Sequence, residues 1–352
     1  MSGAIQDNSS STGLYPGKLW LETPLIRSTH ISSLLQSNVY LKLDSLQPAQ
    51  SFKYRGISYF AQHALRTYGP DAHLIIASGG NAGLAAACAA KVLKLRCTVF
   101  LPHGVNQSTI DFMTKEGAEV VIHGNFYLQA LQGAQEAVAA EPKAVMIPAY
   151  DDPILWEGHA SLVHEIKQQL PEGVKPDAIF CSVGGAGLVG GIMDGCKAVG
   201  WDDVPLVAVE THGSNCFYQS LSLNDGPFAG DVSSRPVSEG TTPERNAEHG
   251  VSVAHLASLT SKATSLEDHK TLVELACGAA IAPAYKPSVF NRLVPRSTPD
   301  KPVNVVLIVC GGFKISLDDV QEYRRIVQAE VSAGGTWDVA INGETFATSK
   351  AE

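Results

Sequence analysis

Leu74-Ile75-Ile76-Ala77-Ser78-Gly79-Gly80-Asn81-Ala82-Gly83, followed by the alanine-rich stretch Leu84 to Leu93, is the segment on which the fold turns. An apolar run, a glycine-rich break and a long stretch of helix formers read as strand, tight loop and helix. Such a loop offers backbone N–H groups and the positive end of a helix to an anion, such as a substrate carboxylate. The alternative is an ordinary turn that uses glycine only for its geometry. The pattern returns at Ala178-Ile179-Phe180-Cys181, then Val183-Gly184-Gly185-Ala186-Gly187-Leu188-Val189-Gly190-Gly191. Again a strand-like run ends in glycines that open a helix, and bare backbone there can approach a phosphate closely.

Working outward, short β-branched runs alternate with longer helical patterns from Val39 onward. The runs are Leu74–Ala77, Cys97–Leu101, Glu119–Ile122, Ala144–Ile147, Ala178–Cys181, Leu206–Glu210 and Val303–Val309. That alternation predicts an α/β protein with parallel sheets covered by helices. Residues 223–250 are polar and turn-rich and read as a long surface loop.

Three further features carry chemistry. Lys53, in Ser51-Phe52-Lys53-Tyr54-Arg55-Gly56, sits among small, apolar and aromatic residues at a predicted helix start. A lysine amine becomes a nucleophile when desolvation or cationic neighbours lower its pKa, and Arg55 is a candidate for part of that push. Taken alone, the run equally describes a solvated surface lysine. Cys310, in Val309-Cys310-Gly311-Gly312, follows the buried-strand run Val303 to Ile308. It lies where ligands bind in open α/β sheets, or it is a buried structural thiol. Finally, Gly185, Gly187 and Gly190 satisfy G-x-G-x-x-G, and Glu210 ends the next strand where an acid would hold a ribose. This nicotinamide reading leaves Lys53 and the Ser78–Gly83 loop unexplained, and the fingerprint lies mid-chain instead of opening its domain.

Composition narrows the classes. The 352 residues fit two domains or one large one. A net charge of −9 gives no support to nucleic-acid or anionic-membrane partners. No apolar run approaches a membrane span, and the polar start Met1 to Gly13 does not read as a secretory signal. Seven cysteines without a C-x-x-C pair read as reduced thiols, so the cytoplasm is the expected compartment. The histidines show no metal-binding pattern, and no metal is expected.

With these segments in hand the chain resembles the fold-type II (tryptophan synthase β-like) pyridoxal-phosphate enzymes, and most closely the L-serine/L-threonine dehydratases. The resemblance runs from Thr23-Pro24-Leu25 to Asp318. It includes Leu43-Asp44-Ser45-Leu46-Gln47-Pro48, the Lys53 run, Asp151-Asp152-Pro153 with Trp156-Glu157-Gly158-His159, Ala276-Cys277-Gly278-Ala279-Ala280 and Val309-Cys310-Gly311-Gly312. It implies two parallel-sheet domains with pyridoxal 5'-phosphate in the cleft between them. The small domain would be 44–150, nested in a large one of 17–43 and 151–333, with tails at 1–16 and 334–352.

The resemblance also implies roles. Lys53 would attach the cofactor covalently and act as base at Cα, and Phe52 would pack against the pyridine ring. Asn81 would hydrogen-bond the ring oxygen. Ser78, Gly79 and the amides around Asn81 would hold the substrate carboxylate. Gly184, Gly185, Ala186, Gly187 and Leu188 would cradle the phosphate, and Cys310 would face the pyridine nitrogen. The expected reaction is β-elimination from serine or threonine by a homodimer. Similar racemases carry a second acid–base serine at the position of Gly79, and histidine is common at the position of Ala82 in racemases and threonine deaminases. Both differences favour the serine dehydratase branch.

Two departures stand out. Relatives continue Thr264-Ser265-Leu266 with several dozen residues that here are missing before Glu267-Asp268-His269-Lys270. Their loss implies an altered activity or a lost monovalent-cation site. Ala186 replaces a glycine and would be strained if the loop needs φ > 0 there.

Overall fold

Each strand expected from the β-branched runs forms, with bounds within one residue of those read from the sequence. The computed structural model describes residues 17–211, 214–218, 269–294, 297–298, 301–342 and 344–350. The start at 1–16, the 223–250 segment and the join at Leu266–Glu267 lie outside them.

In chain order the strands are β1 (Leu25–Arg27), β2 (Asn38–Leu43), β3 (His73–Ala77), β4 (Arg96–Leu101), β5 (Glu119–Ile122), β6 (Ala144–Met146), β7 (Ala178–Ser182), β8 (Leu206–Val209), β9 (Asn304–Val309), β10 (Thr336–Ile341) and β11 (Glu344–Ser349). The helices are α1 (Thr29–Leu35), α2 (Lys53–Tyr68), α3 (Asn81–Leu93), α4 (Gln107–Lys115), α5 (Tyr127–Ala140), α6 (Pro153–Gln169), α7 (Gly187–Val199), α8 (Leu275–Ile281), α9 (Pro287–Leu293) and α10 (Leu317–Ser332).

Two sheets result. One is four-stranded and wholly parallel, in the order β5-β4-β3-β6. The other is five-stranded, β1-β2-β9-β7-β8, and parallel except for β1. Its central strands β7 and β9 are buried along nearly their whole length, as a parallel strand covered on both faces requires. Three apolar clusters follow among the described residues. Leu74, Ile76 and Val99 pack with the alanine face of α3 in one, Ile75, Ala77 and Phe100 pack with Ala130 and Ala134 of α5 in a second, and Phe180, Leu307 and Ile192 pack in the third. No helix among the described residues is long and apolar enough to cross a membrane.

Residues 334–352, read from the sequence as a tail, instead hold an antiparallel hairpin, with β10 paired to β11 in register from Thr336–Ser349 to Ile341–Glu344. Trp337 is buried under the Lys286 ammonium, which also reaches the Ser349 carbonyl. The signal was present in Asn342-Gly343 between two alternating runs. Asn342 takes the positive φ, +48°, that such a turn demands.

Candidate functional site

Lys53 and Cys310 are far apart in sequence, and short-range pairing joins them. Phe52 N–H donates to the Cys310 carbonyl at 2.9 Å, Gly312 N–H donates to the Gln50 carbonyl at 2.7 Å, and Ser51 bridges Gly311. Gly311 makes the approach possible, because at φ +87° a Cβ there would strike Gln50 and Ser45. The end of β9 and the start of α2 are thus held together, and the first side chain of α2 projects beside the thiol.

The Lys53 amine donates to the Ala149 carbonyl at 2.5 Å and lies 5.2 Å from the Phe52 ring centroid. No carboxylate pairs with it among the described residues. Burial lowers its pKa to about 8, opposed by Cys310. Arg55, expected to supply part of that push, does not. Two residues along a helix turn a side chain to the far face, where the fully buried Arg55 guanidinium is spent on Asp44 and Glu165.

Two helix N-termini flank the amine. The loop after β3 opens α3 at Asn81, and the loop after β7 opens α7 at Gly187. Neither helix has a side-chain cap, whereas Ser28, Asp152 and Ser316 cap α1, α6 and α10. Uncapped N–H groups at both sites are open to anions. Glycine is needed at 185 and 187, since a Cβ at either would run into Tyr150.

Ala186 sits at φ +58°, ψ 0°, in the left-handed region where alanine is strained. Ala186→Gly relieves that strain and adds back some unfolded-chain entropy. The expected net gain is about 0.5 kcal/mol, read as a higher urea midpoint at unchanged slope. A lower midpoint contradicts the strain.

A cavity of about 260 Å³ lies between the loops. Of the residues singled out in the sequence, it is lined by Phe52, Lys53, Asn81, Gly184, Gly185, Ala186, Gly187, Leu188 and Cys310. Ser78 and Gly79 are not among its lining residues and lie on the approach to Asn81. Sequence reasoning missed Ser182, whose Oγ is 3.2 Å from Cys310 Sγ, and Glu274, which accepts from Asn81 at 3.1 Å. His159, which the sequence offers only as part of the Trp156–His159 run, has no role assigned there. This ring is fully buried against Phe52 with both nitrogens unpartnered, and burial, with Lys53 and Arg55 nearby, holds it neutral. A larger hollow of about 540 Å³ between β8 and β10 is lined, among the residues singled out in the sequence, by Glu210 and by none of those expected around Lys53.

Glu210 is not placed to hold a ribose. Its carboxylate accepts from the Phe217 and Tyr218 N–H groups at 3.0 and 2.7 Å, and burial raises its pKa to about 7. Gly190, the last glycine of that fingerprint, lies inside α7, where a Cβ would press on Trp156.

The buried amine, paired with no carboxylate among the described residues, lies between two uncapped helix N-termini, and the chain belongs to the pyridoxal-phosphate dependent enzymes, whose sequence signature matches residues 18–311. The human L-serine dehydratase/L-threonine deaminase is 37% identical over 309 residues, covering 85% of this chain and 93% of that protein. The human serine dehydratase-like protein is 36% identical over 308 residues, covering 85% and 92%. Among solved structures, the L-serine ammonia-lyase of Rhizomucor miehei superposes with a TM-score of 0.74 at 31% identity, covering 88% of this chain and 99% of that one.

The residues present fit the cofactor. Lys53 offers an amine that burial keeps partly neutral at physiological pH, the 184–188 backbone offers N–H groups that no side chain fills, and Phe52 offers a flat apolar surface beside the amine.

Proposed function

We propose that this chain removes water from L-serine, L-threonine or both, giving pyruvate or 2-oxobutyrate and ammonia. The observation that carries this reading is the buried Lys53 amine, unpaired by any carboxylate among the described residues and set between two uncapped helix N-termini. The named relatives at 36% and 37% identity support the substrate class.

In this reading the cleft between the two sheets would take the cofactor, which when bound supplies a sink for the electron pair left at Cα. The Gly184–Leu188 amides would hold its phosphate, Phe52 would pack on its ring and Asn81 would bind its ring oxygen. Ser78, Gly79 and the first N–H groups of α3 orient the substrate carboxylate. Lys53 would hold the cofactor covalently, and its Nζ, once freed, would take the Cα proton. The β-hydroxyl would leave as water with that proton, which balances the elimination. The released enamine hydrolyses to keto acid and ammonia. The chain works as a cytoplasmic homodimer, for which light scattering of the loaded protein is the test.

Cys310 tunes the outcome. A thiol is a weak partner and does not keep a pyridine nitrogen protonated as a carboxylate would. A weak partner there would suit elimination better than racemisation or transamination. Cys310→Asp is expected to shift product partition from keto acid toward racemised or transaminated amino acid. An unchanged partition removes this role.

The reading is tested by supplying cofactor and following pyruvate from L-serine and 2-oxobutyrate from L-threonine. Borohydride reduction with peptide mapping should place the cofactor on Lys53. Mapping to Lys53 without keto acid from either substrate would mean a cofactor-binding relative with another substrate.

A further inference from the structure

Asn81 opens α3 with its amide in the cavity, and its neighbours decide how that amide is turned. Its Oδ1 accepts from Phe313 N–H at 3.2 Å, and its Nδ2 donates to Glu274 Oε2 at 3.1 Å. A backbone N–H only donates and a carboxylate only accepts, so both neighbours select the same orientation. Glu274 is itself fixed, because its Oε1 accepts from Lys314 N–H at 2.8 Å. Gly312, at φ +126°, leaves the space; a Cβ there would overlap the Glu274 carboxyl. The Lys314 ammonium reaches the Gly79 carbonyl at 3.4 Å, tying the same turn to the loop before α3.

We propose that Glu274 is a positioning residue that holds Asn81 so that the second N–H of Nδ2 faces the ring oxygen of the bound cofactor. This rests on the reading that the cavity takes pyridoxal phosphate with Asn81 at that oxygen. A donor there favours the ionised oxygen; an amide turned the other way presents a carbonyl and disfavours it. Glu274→Gln keeps the shape and replaces two acceptors with one acceptor and one donor. Either Lys314 N–H or Asn81 Nδ2 then meets a donor, and the amide loses its fixed orientation.

The experiment reads the absorbance of the cofactor-loaded protein against pH, without substrate, for wild type, Glu274→Gln, Asn81→Ala and the double variant. In Glu274→Gln, part of the visible band should pass to the near-ultraviolet form whose ring oxygen is protonated. The transition should move by about one pH unit, the size of one net hydrogen bond, in the same sense as in Asn81→Ala. Adding Glu274→Gln to Asn81→Ala should move it no further. If Glu274→Gln does not fold, Glu274→Ala, which admits water in place of the carboxylate, makes the same comparison. An unchanged spectrum overturns the proposal, as does an equal displacement in the Asn81→Ala background. So does loss of the cofactor from folded protein, since positioning leaves Lys53 and the phosphate cradle intact. Turnover is not read, so failure of the serine reading leaves this test standing.

Discussion

Lys53→Ala should lower keto-acid formation from serine by about 10⁴-fold or more, because one amine serves as both the covalent anchor and the Cα base. Added methylamine should restore a small fraction, since it can replace the proton acceptor but not the tether. Keto-acid production near the wild-type rate in Lys53→Ala would sink the mechanism. The same residue has an opposite effect on stability. Its folded pKa of about 8 lies below the 10.5 of an unperturbed lysine, so the unfolded chain binds the proton more tightly. Below pH 8 the cofactor-free protein carries the full cost of burying that charge, and the cost fades as pH rises from 8 toward 10.5. Lys53→Met keeps the side-chain bulk and removes the charge. Without cofactor it should melt higher than wild type at pH 7, with the difference shrinking by pH 10. Lower melting of the methionine variant at both pH values would show that the amine is not desolvated.

That chemistry was legible because its constraints are local. A strand that ends in glycines and opens a helix is readable in ten residues, and both loops were found where the sequence placed them. Lys53 and Cys310 each stand out in the sequence, but that they line one cavity does not. It depends on Ser51 pairing with Gly311, a contact between segments 260 residues apart. Glu274 and Ser182 gave no local signal for the same reason: each matters through one partner on another element. The hairpin of β10 and β11 was a different kind of miss. Asn342-Gly343 between two alternating runs is a local signal for it, and it lies beyond the stretch that resembles the family.

Arg55 shows how proximity in sequence misleads. It lies two residues from Lys53 and was credited with lowering the amine's pKa, yet the helix turns it into a separate, fully buried ion cluster. Its Nε donates to Asp44 Oδ2 at 2.7 Å and its Nη1 to Glu165 Oε1 at 2.7 Å. Thr23 Oγ1 and Ser161 Oγ accept two further N–H groups, and Lys42 Nζ binds Glu165 Oε2 at 2.7 Å. Burial works against both cations. Asp44 and Glu165 hold the Arg55 pKa up, while Lys42 is lowered despite Glu165. The cluster fastens α2 to α6 and to the turn after β2, fixing the helix whose first residue is Lys53. Arg55→Met should therefore cost about 3–5 kcal/mol, because it leaves the Asp44 carboxylate buried with no cation and Glu165 with Lys42 alone. Arg55→Met combined with Asp44→Asn should recover more than half of that loss, since fewer unpaired charges remain buried. Urea unfolding of the wild type and the two variants decides the point. A single-variant loss under about 1 kcal/mol, the range of an exposed pair, would mean that water reaches the cluster and that α2 is anchored by packing alone.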